Sequence, residues 1–152
     1  MAEGLTFEQR RRFAVDLFNH VWTLLERPER TPEQDDEMIH AAHASRHHWS
    51  EVGTTANLAR GEWQVSRVYA TLGRAEPALF HASRCLAYCE SRPDEMEEWD
   101  LPYAYEALAR ANSIAGNTEE AQRFAARARE LGDQIQDKDD REHLNADLAT
   151  LP

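Results

Sequence analysis

Four of the seven histidines in this chain fall within ten residues, in the run HAAHASRHHW from His40 to Trp49. Wound on a helix at about 100° per residue, His40, His43 and His47 share one stripe, with Asp36 a turn before it and Glu51 continuing it. Neutral imidazoles at i, i+3 and i+7 beside a carboxylate are a donor set for a divalent cation such as zinc. Ligands spread along about 10 Å of helix axis cannot all reach one ion. A metal would therefore sit on His40–His43 or His43–His47, with His20, His81 or Glu106 as ligands from another helix. The same stripe also suits a solvated polar face or an acid/base or pH-sensing role. On the opposite side, Met38, Ala42, Ser45, Trp49 and Val52 form a packing face, and Arg46 at its flank is placed to pair with an acid near the neighbouring hairpin.

A second constellation is repeated. Arg60, Trp63 and Arg67 lie on one side of a helical stretch whose other side is Leu58, Val65, Tyr69 and Leu72. Forty-three residues later, Tyr103, Glu106 and Arg110 stand opposite Leu101, Tyr105, Leu108 and Ala115. Guanidiniums grip carboxylates and phosphates through two nitrogens, and aromatic rings add contact area with few rotatable bonds. The two triplets thus predict a groove for a peptide, a protein partner or a small anionic ligand with an apolar part. The competing reading is a solvated face on which arginine stems cover ring edges. Gly61, inside the first triplet, points to a close approach by another chain or a ligand, because glycine within a helix costs about 1 kcal/mol relative to alanine.

Catalytic signatures are missing. The chain has no G-x-S-x-G, no glycine-rich phosphate loop, no C-x-x-C and no H-E-x-x-H. The expectation is a non-catalytic protein without a cofactor; the alternative is a small metal-dependent protein or enzyme centred on the histidine stripe. Cys85 and Cys89, the only cysteines, lie four apart on one helical stretch, a poor geometry for a disulfide, and are expected as small buried hydrophobes. Twenty-eight acids against 17 bases in 152 residues give a net charge of −11. That balance argues against nucleic acid and against an anionic membrane surface. No apolar run approaches the roughly 20 residues of a membrane span, and residues 1–12 carry no apolar segment of signal-peptide type, so a cytoplasmic protein is expected.

The elements that must position these residues are delimited by proline and glycine. Thr6 with Gln9 predicts a capping box opening the first helix, which stops before Pro28. Thr31, Pro32 and Gln34 open a second helix running to about Val52, with Gly53 as a left-handed terminator. A third spans about Thr55 to Leu72 and ends at Gly73; a fourth spans about Ala75 to Glu90. The acidic connector SRPDEMEEWD, residues 91–100, leads to a fifth from about Leu101 to Ala115, ended by Gly116. Asn117 with Glu120 predicts a capping box for a sixth, closing near Gly132, and a short charged seventh covers about Lys138 to Thr150. The result is a single all-α domain over residues 1–152, with antiparallel hairpins at about 6–52, 55–90 and 101–132 and a C-terminal helix at about 138–150.

Aligning the middle hairpins on Gly73 and Gly116 exposes an internal repeat. Each has a helix, a terminating glycine, an alanine five residues on (Ala78, Ala121) and a small residue seven further (Cys85, Ala128). Small residues there let paired helices approach closely, and hairpins of this kind bury their remaining faces by stacking. This pattern resembles the tetratricopeptide repeat (TPR): Tyr69, Gly73, Ala78 and Cys85 stand at that family's Tyr, Gly, Ala and Ala positions, and Leu108, Gly116, Ala121 and Ala128 match in the second unit. Ser66 and Ala109 replace the first glycine, Asn112 replaces the tyrosine, and the acidic connector lengthens the period to 43 residues from the usual roughly 34. The resemblance covers about half the chain. It implies a short TPR-like array of six to seven helices, a scaffold that binds a partner, and a concave groove lined by the first helix of each hairpin. It also puts both Arg/aromatic triplets in that groove. An end face of such an array would allow a homodimer.

Overall fold

The computed structural model describes residues 4–152. Among them run seven α-helices and no strand: α1 (Phe7–Leu25), α2 (Pro32–Val52), α3 (Thr55–Thr71), α4 (Ala75–Ser91), α5 (Asp100–Ile114), α6 (Thr118–Gly132) and α7 (Lys138–Leu148). The closest packing is within the pairs α1–α2, α3–α4 and α5–α6. The pairs then stack through α2–α3, α4–α5 and α3–α5, and α7 lies on α6 and touches α5. The fold is the all-α hairpin array that the periodicity predicts.

Local chemistry sets most of the boundaries. The boxes Thr6/Gln9 and Thr31/Gln34 both form, and Thr54/Asn57 adds a third at the start of α3. Gly73 (φ 73°) and Gly116 (φ 81°) adopt the left-handed conformation that a side chain would disfavour. Each closes its helix with the same pair of bonds: Arg74 N–H to Tyr69 C=O and Gly73 N–H to Ala70 C=O, then Asn117 N–H to Asn112 C=O and Gly116 N–H to Ser113 C=O. The repeat is thus carried by the backbone as well as by the residue types.

Two expectations about termini fail. Gly53 is extended, not left-handed, because the chain passes straight into the Thr54 cap. It is glycine for space: a Cβ there would lie 2.7 Å from the Trp49 carbonyl oxygen and 2.9 Å from Asn57 Cβ. The Asn117/Glu120 box does not form, since the Asn117 side-chain amide donates instead to Asn112 Oδ1. Asn112, at the tyrosine position of the repeat pattern, spends its own amide on the Leu108 carbonyl.

Helix α3 is buried on almost every side. Ala59, Trp63 and Ala70 join a core with Ala82, Cys85 and Cys89 of α4 and Ala104, Ala107 and Leu108 of α5. Val65 and Val68 face the other way, into Val21 and Leu24 of α1 and Met38 and Ala42 of α2. Ser66 fits so close to α4 that its hydroxyl donates to the Ala78 carbonyl at 2.8 Å. Both cysteines are buried and unpaired. A hydrogen bond with Cys89, and then burial, push the Cys85 thiol well above the ordinary thiol range. Helix α7 is anchored separately, by Leu144 and Leu148 packing on Ala128 and Ile135. Gly132 makes room for that contact, because a Cβ there would fall 2.6 Å from Leu144 Cδ2.

Candidate functional site

Helices α1, α3 and α5, the first of each hairpin, line one side of the array, and α7 faces them across a cavity of about 380 Å³. Its apolar walls are Phe18 and Trp22 of α1, Ala59 and Trp63 of α3, Trp99 just ahead of α5, and Tyr103 of α5. The rings are set against one another. Trp22 and Trp63 lie 5.5 Å apart at 32°, Trp63 meets Tyr103 edge to face at 5.6 Å, and Trp99 meets Tyr103 edge to face at 6.4 Å. Edge-to-face packing fixes ring orientation and favours a preformed site. The polar lining is Arg60, Asp100, and Asp140, His143 and Asp147 of α7.

Five of the six triplet residues, Trp63, Arg67, Tyr103, Glu106 and Arg110, join through Asp147 in one polar network at this wall, and Arg60 pairs separately with Asp100. The centre of the network is Glu106, whose side chain is fully buried. Glu106 accepts from Trp63 Nε1 at 3.2 Å, from Arg67 at 3.2 Å and from Arg110 Nε at 2.8 Å. Trp63 and Glu106 occupy equivalent positions 43 residues apart, so the repeat itself brings the donor to its acceptor. Arg110 also donates to the Thr150 hydroxyl at 2.8 Å and to the Asp147 carbonyl at 3.1 Å, closing the C-terminal end of α7. The Tyr103 hydroxyl donates to Asp147 Oδ2 at 2.7 Å. Burial, together with that bond to a carboxylate, pushes the Tyr103 phenol far above its ordinary range. Burial pulls the Arg67 guanidinium down despite the opposing pull of Glu106.

The guanidiniums of this face are therefore engaged within the fold. Arg60 holds Asp100 through both nitrogens, at 3.0 and 2.9 Å, and stacks 4.4 Å over Trp99. The hydrogen bond to Asp100 raises the Arg60 pKa above its usual value. Asp100 and Asp147 complete pairs that the sequence left open, because Asp100 stands at the end of the acidic connector and Asp147 on the separate C-terminal helix. Trp63 is buried, covered by Trp22 and Tyr103. Sequence reasoning missed Phe18, Trp22, Trp99 and the three α7 residues as parts of this site. The available signal was compositional: three of the four tryptophans occur in the first helices or just before one.

The histidine stripe behaves differently. Asp36, His40, His43 and His47 lie on the exposed side of α2. Among the described residues, no three histidine, cysteine, aspartate or glutamate side chains converge as a metal site. His43 turns towards α3 and α4: its Nε2 lies 2.8 Å from the Tyr69 hydroxyl, and its ring stands edge to face 5.4 Å from His81. Burial, then the proximity of His81, lower the His43 pKa, with Glu62 opposing. Next to it, His81 Nδ1 donates to Glu62 at 2.6 Å and Arg46 Nε donates to the other Glu62 oxygen at 3.1 Å. Burial raises the Glu62 pKa, but the His81 bond and the charges of His81 and Arg46 outweigh it, and the group ends below the ordinary carboxylate value. Arg46 continues to the Tyr88 hydroxyl at 3.0 Å. This is the pairing anticipated for Arg46, and it explains Gly61, where a Cβ would lie 2.9 Å from Arg46 Cδ.

Comparison with protein-family models, with curated proteins and with solved structures returns no match for this chain. No helix of the described residues is long and apolar enough to cross a membrane.

Proposed function

We propose that this chain is a non-catalytic, TPR-like binding module of the cytoplasm whose ligand sits in the cavity between α1, α3, α5 and α7. The observation that carries this reading is the cavity itself: about 380 Å³ walled by Trp22, Trp63, Trp99 and Tyr103. Small-molecule sites are mostly apolar clefts of roughly 300–1,000 Å³ with a few placed polar groups, and this one fits that description. Helix α7 lies across the face along which an extended peptide would run, which favours a compact ligand over a long segment of a partner. Two features support binding without chemistry. The Tyr103 phenol and the Cys85 thiol, which also lines the cavity, are both pushed well above their ordinary pKa values and so away from acid or nucleophile duty at neutral pH. The buried unpaired cysteines agree with a reducing compartment.

A thermal-shift screen of compact aromatic compounds tests the reading when wild type is compared with Ala59→Leu, which fills the cavity from α3. Compounds that bind there raise the melting temperature of wild type and not of the variant. Equal stabilisation of both proteins would move the binding site elsewhere.

A further inference from the structure

We infer that the ligand of this cavity is an organic cation, an ammonium group carried on a compact aryl or alkyl body. The inference rests on the cavity being a binding site and adds the sign of the ligand's charge. Three indoles and a phenol form the wall, and the faces of such rings attract cations. The protein already sets two cations of its own on this wall, since the Arg60 guanidinium stacks on Trp99 at 4.4 Å and the Arg67 guanidinium lies 5.8 Å from the centre of the Trp63 ring.

The charges around the opening point the same way. The lining has one guanidinium, Arg60, and three carboxylates, Asp100, Asp140 and Asp147. Arg60 and Asp100 satisfy each other through two hydrogen bonds. Asp147 takes a neutral hydroxyl on one oxygen, while its other oxygen lies 3.8 Å from Arg67, whose nearer partner is Glu106 at 3.2 Å. His143 approaches Asp147 at 3.8 Å from the same helix. Among the described residues the Asp140 carboxylate has neither an ion pair nor a hydrogen bond, although the residue lines the cavity and is half-buried. An entering anion would meet these two acids and find each nearby guanidinium already holding a carboxylate. A cation meets an aromatic wall and an uncompensated acid.

Calorimetric titration with three probes of one skeleton tests the inference: 3-phenylpropylamine, 3-phenylpropan-1-ol and 3-phenylpropionate. The amine is expected to bind wild type about tenfold or more tightly than the alcohol, with the carboxylate weakest. Asp140→Asn should weaken the amine about threefold to fivefold while leaving the alcohol unchanged. Ala59→Leu should abolish binding of whichever probes bind. If the alcohol or the carboxylate binds as tightly as the amine in an Ala59→Leu-sensitive manner, the cation inference is overturned and the cavity reading stands. Failure of all three probes, or binding indifferent to Ala59→Leu, overturns both.

Discussion

Replacing Glu106 with glutamine should be among the most destabilising isosteric changes available in this protein. Glu106 is completely buried, and its partners Arg67 and Arg110 keep only 18% and 10% of their side-chain surface exposed. Glutamine preserves volume and one acceptor oxygen, but it removes the charge that both guanidiniums share. It also points an amide N–H at a donor, either Trp63 Nε1 or a guanidinium. Breaking a buried pair from one side costs about 3–5 kcal/mol because the remaining charge is left uncompensated. For a chain of this length each kcal/mol lowers the melting temperature by about 2–4 °C, so a fall of roughly 6–20 °C is expected. Urea unfolding followed by circular dichroism reads the loss directly, with the denaturant slope reporting whether the unfolded state has changed. A loss below about 1 kcal/mol, as for a surface pair, would mean that water solvates Arg67 and Arg110 and that no buried network stands behind the cavity.

Other outcomes follow from the same geometry. Gly61→Ala should destabilise despite the roughly 1 kcal/mol helix-propensity gain, because Arg46 is pinned by Glu62 and Tyr88 and cannot move aside; in an Arg46→Ala background the same change should stabilise, and paired melts measure both. Because the folded Glu62 pKa lies below its unfolded value, its stabilisation is present above the ordinary carboxylate range and lost as pH falls through the folded pKa; Glu62→Gln should flatten the acid limb of a stability–pH curve. His43, also lowered, disfavours folding once the unfolded imidazole protonates, so stability should decline as pH drops below about 6.5, and His43→Gln should remove that part of the slope. Elemental analysis of untagged protein purified without nickel resin should return no stoichiometric metal; an equimolar ion that disappears in His43→Ala would instead establish the metal-centred alternative.

Much of the fold was legible because local chemistry decides it. Thr6/Gln9, Thr31/Gln34, Gly73 and Gly116 act within a turn of themselves, so residue type and spacing suffice. The two triplets were legible for a related reason: the repeat fixes their helical phase, and a shared phase brings Trp63 to Glu106. What stayed hidden depends on distant packing. Asp100 meets Arg60 across 40 residues and Asp147 meets Tyr103 across 44, and periodicity carries no information about such pairings. Helix α7 reads only as a short charged helix; its position over the cavity follows from Leu144 and Leu148 seating against Ala128 and Ile135. The net charge of −11 is similarly silent about place, and the structure sets carboxylates against the guanidiniums of both triplets.

The most direct test of the cavity as the binding site is the 1H–15N spectrum of the indole N–H groups during titration with 3-phenylpropylamine. Trp22, Trp63 and Trp99 line the cavity, whereas Trp49 packs in α2 beside Gly53. With the cavity as the binding site, the three cavity indoles shift saturably while Trp49 stays in place. Shifts confined to Trp49, or no indole shift up to millimolar probe, would contradict that placement.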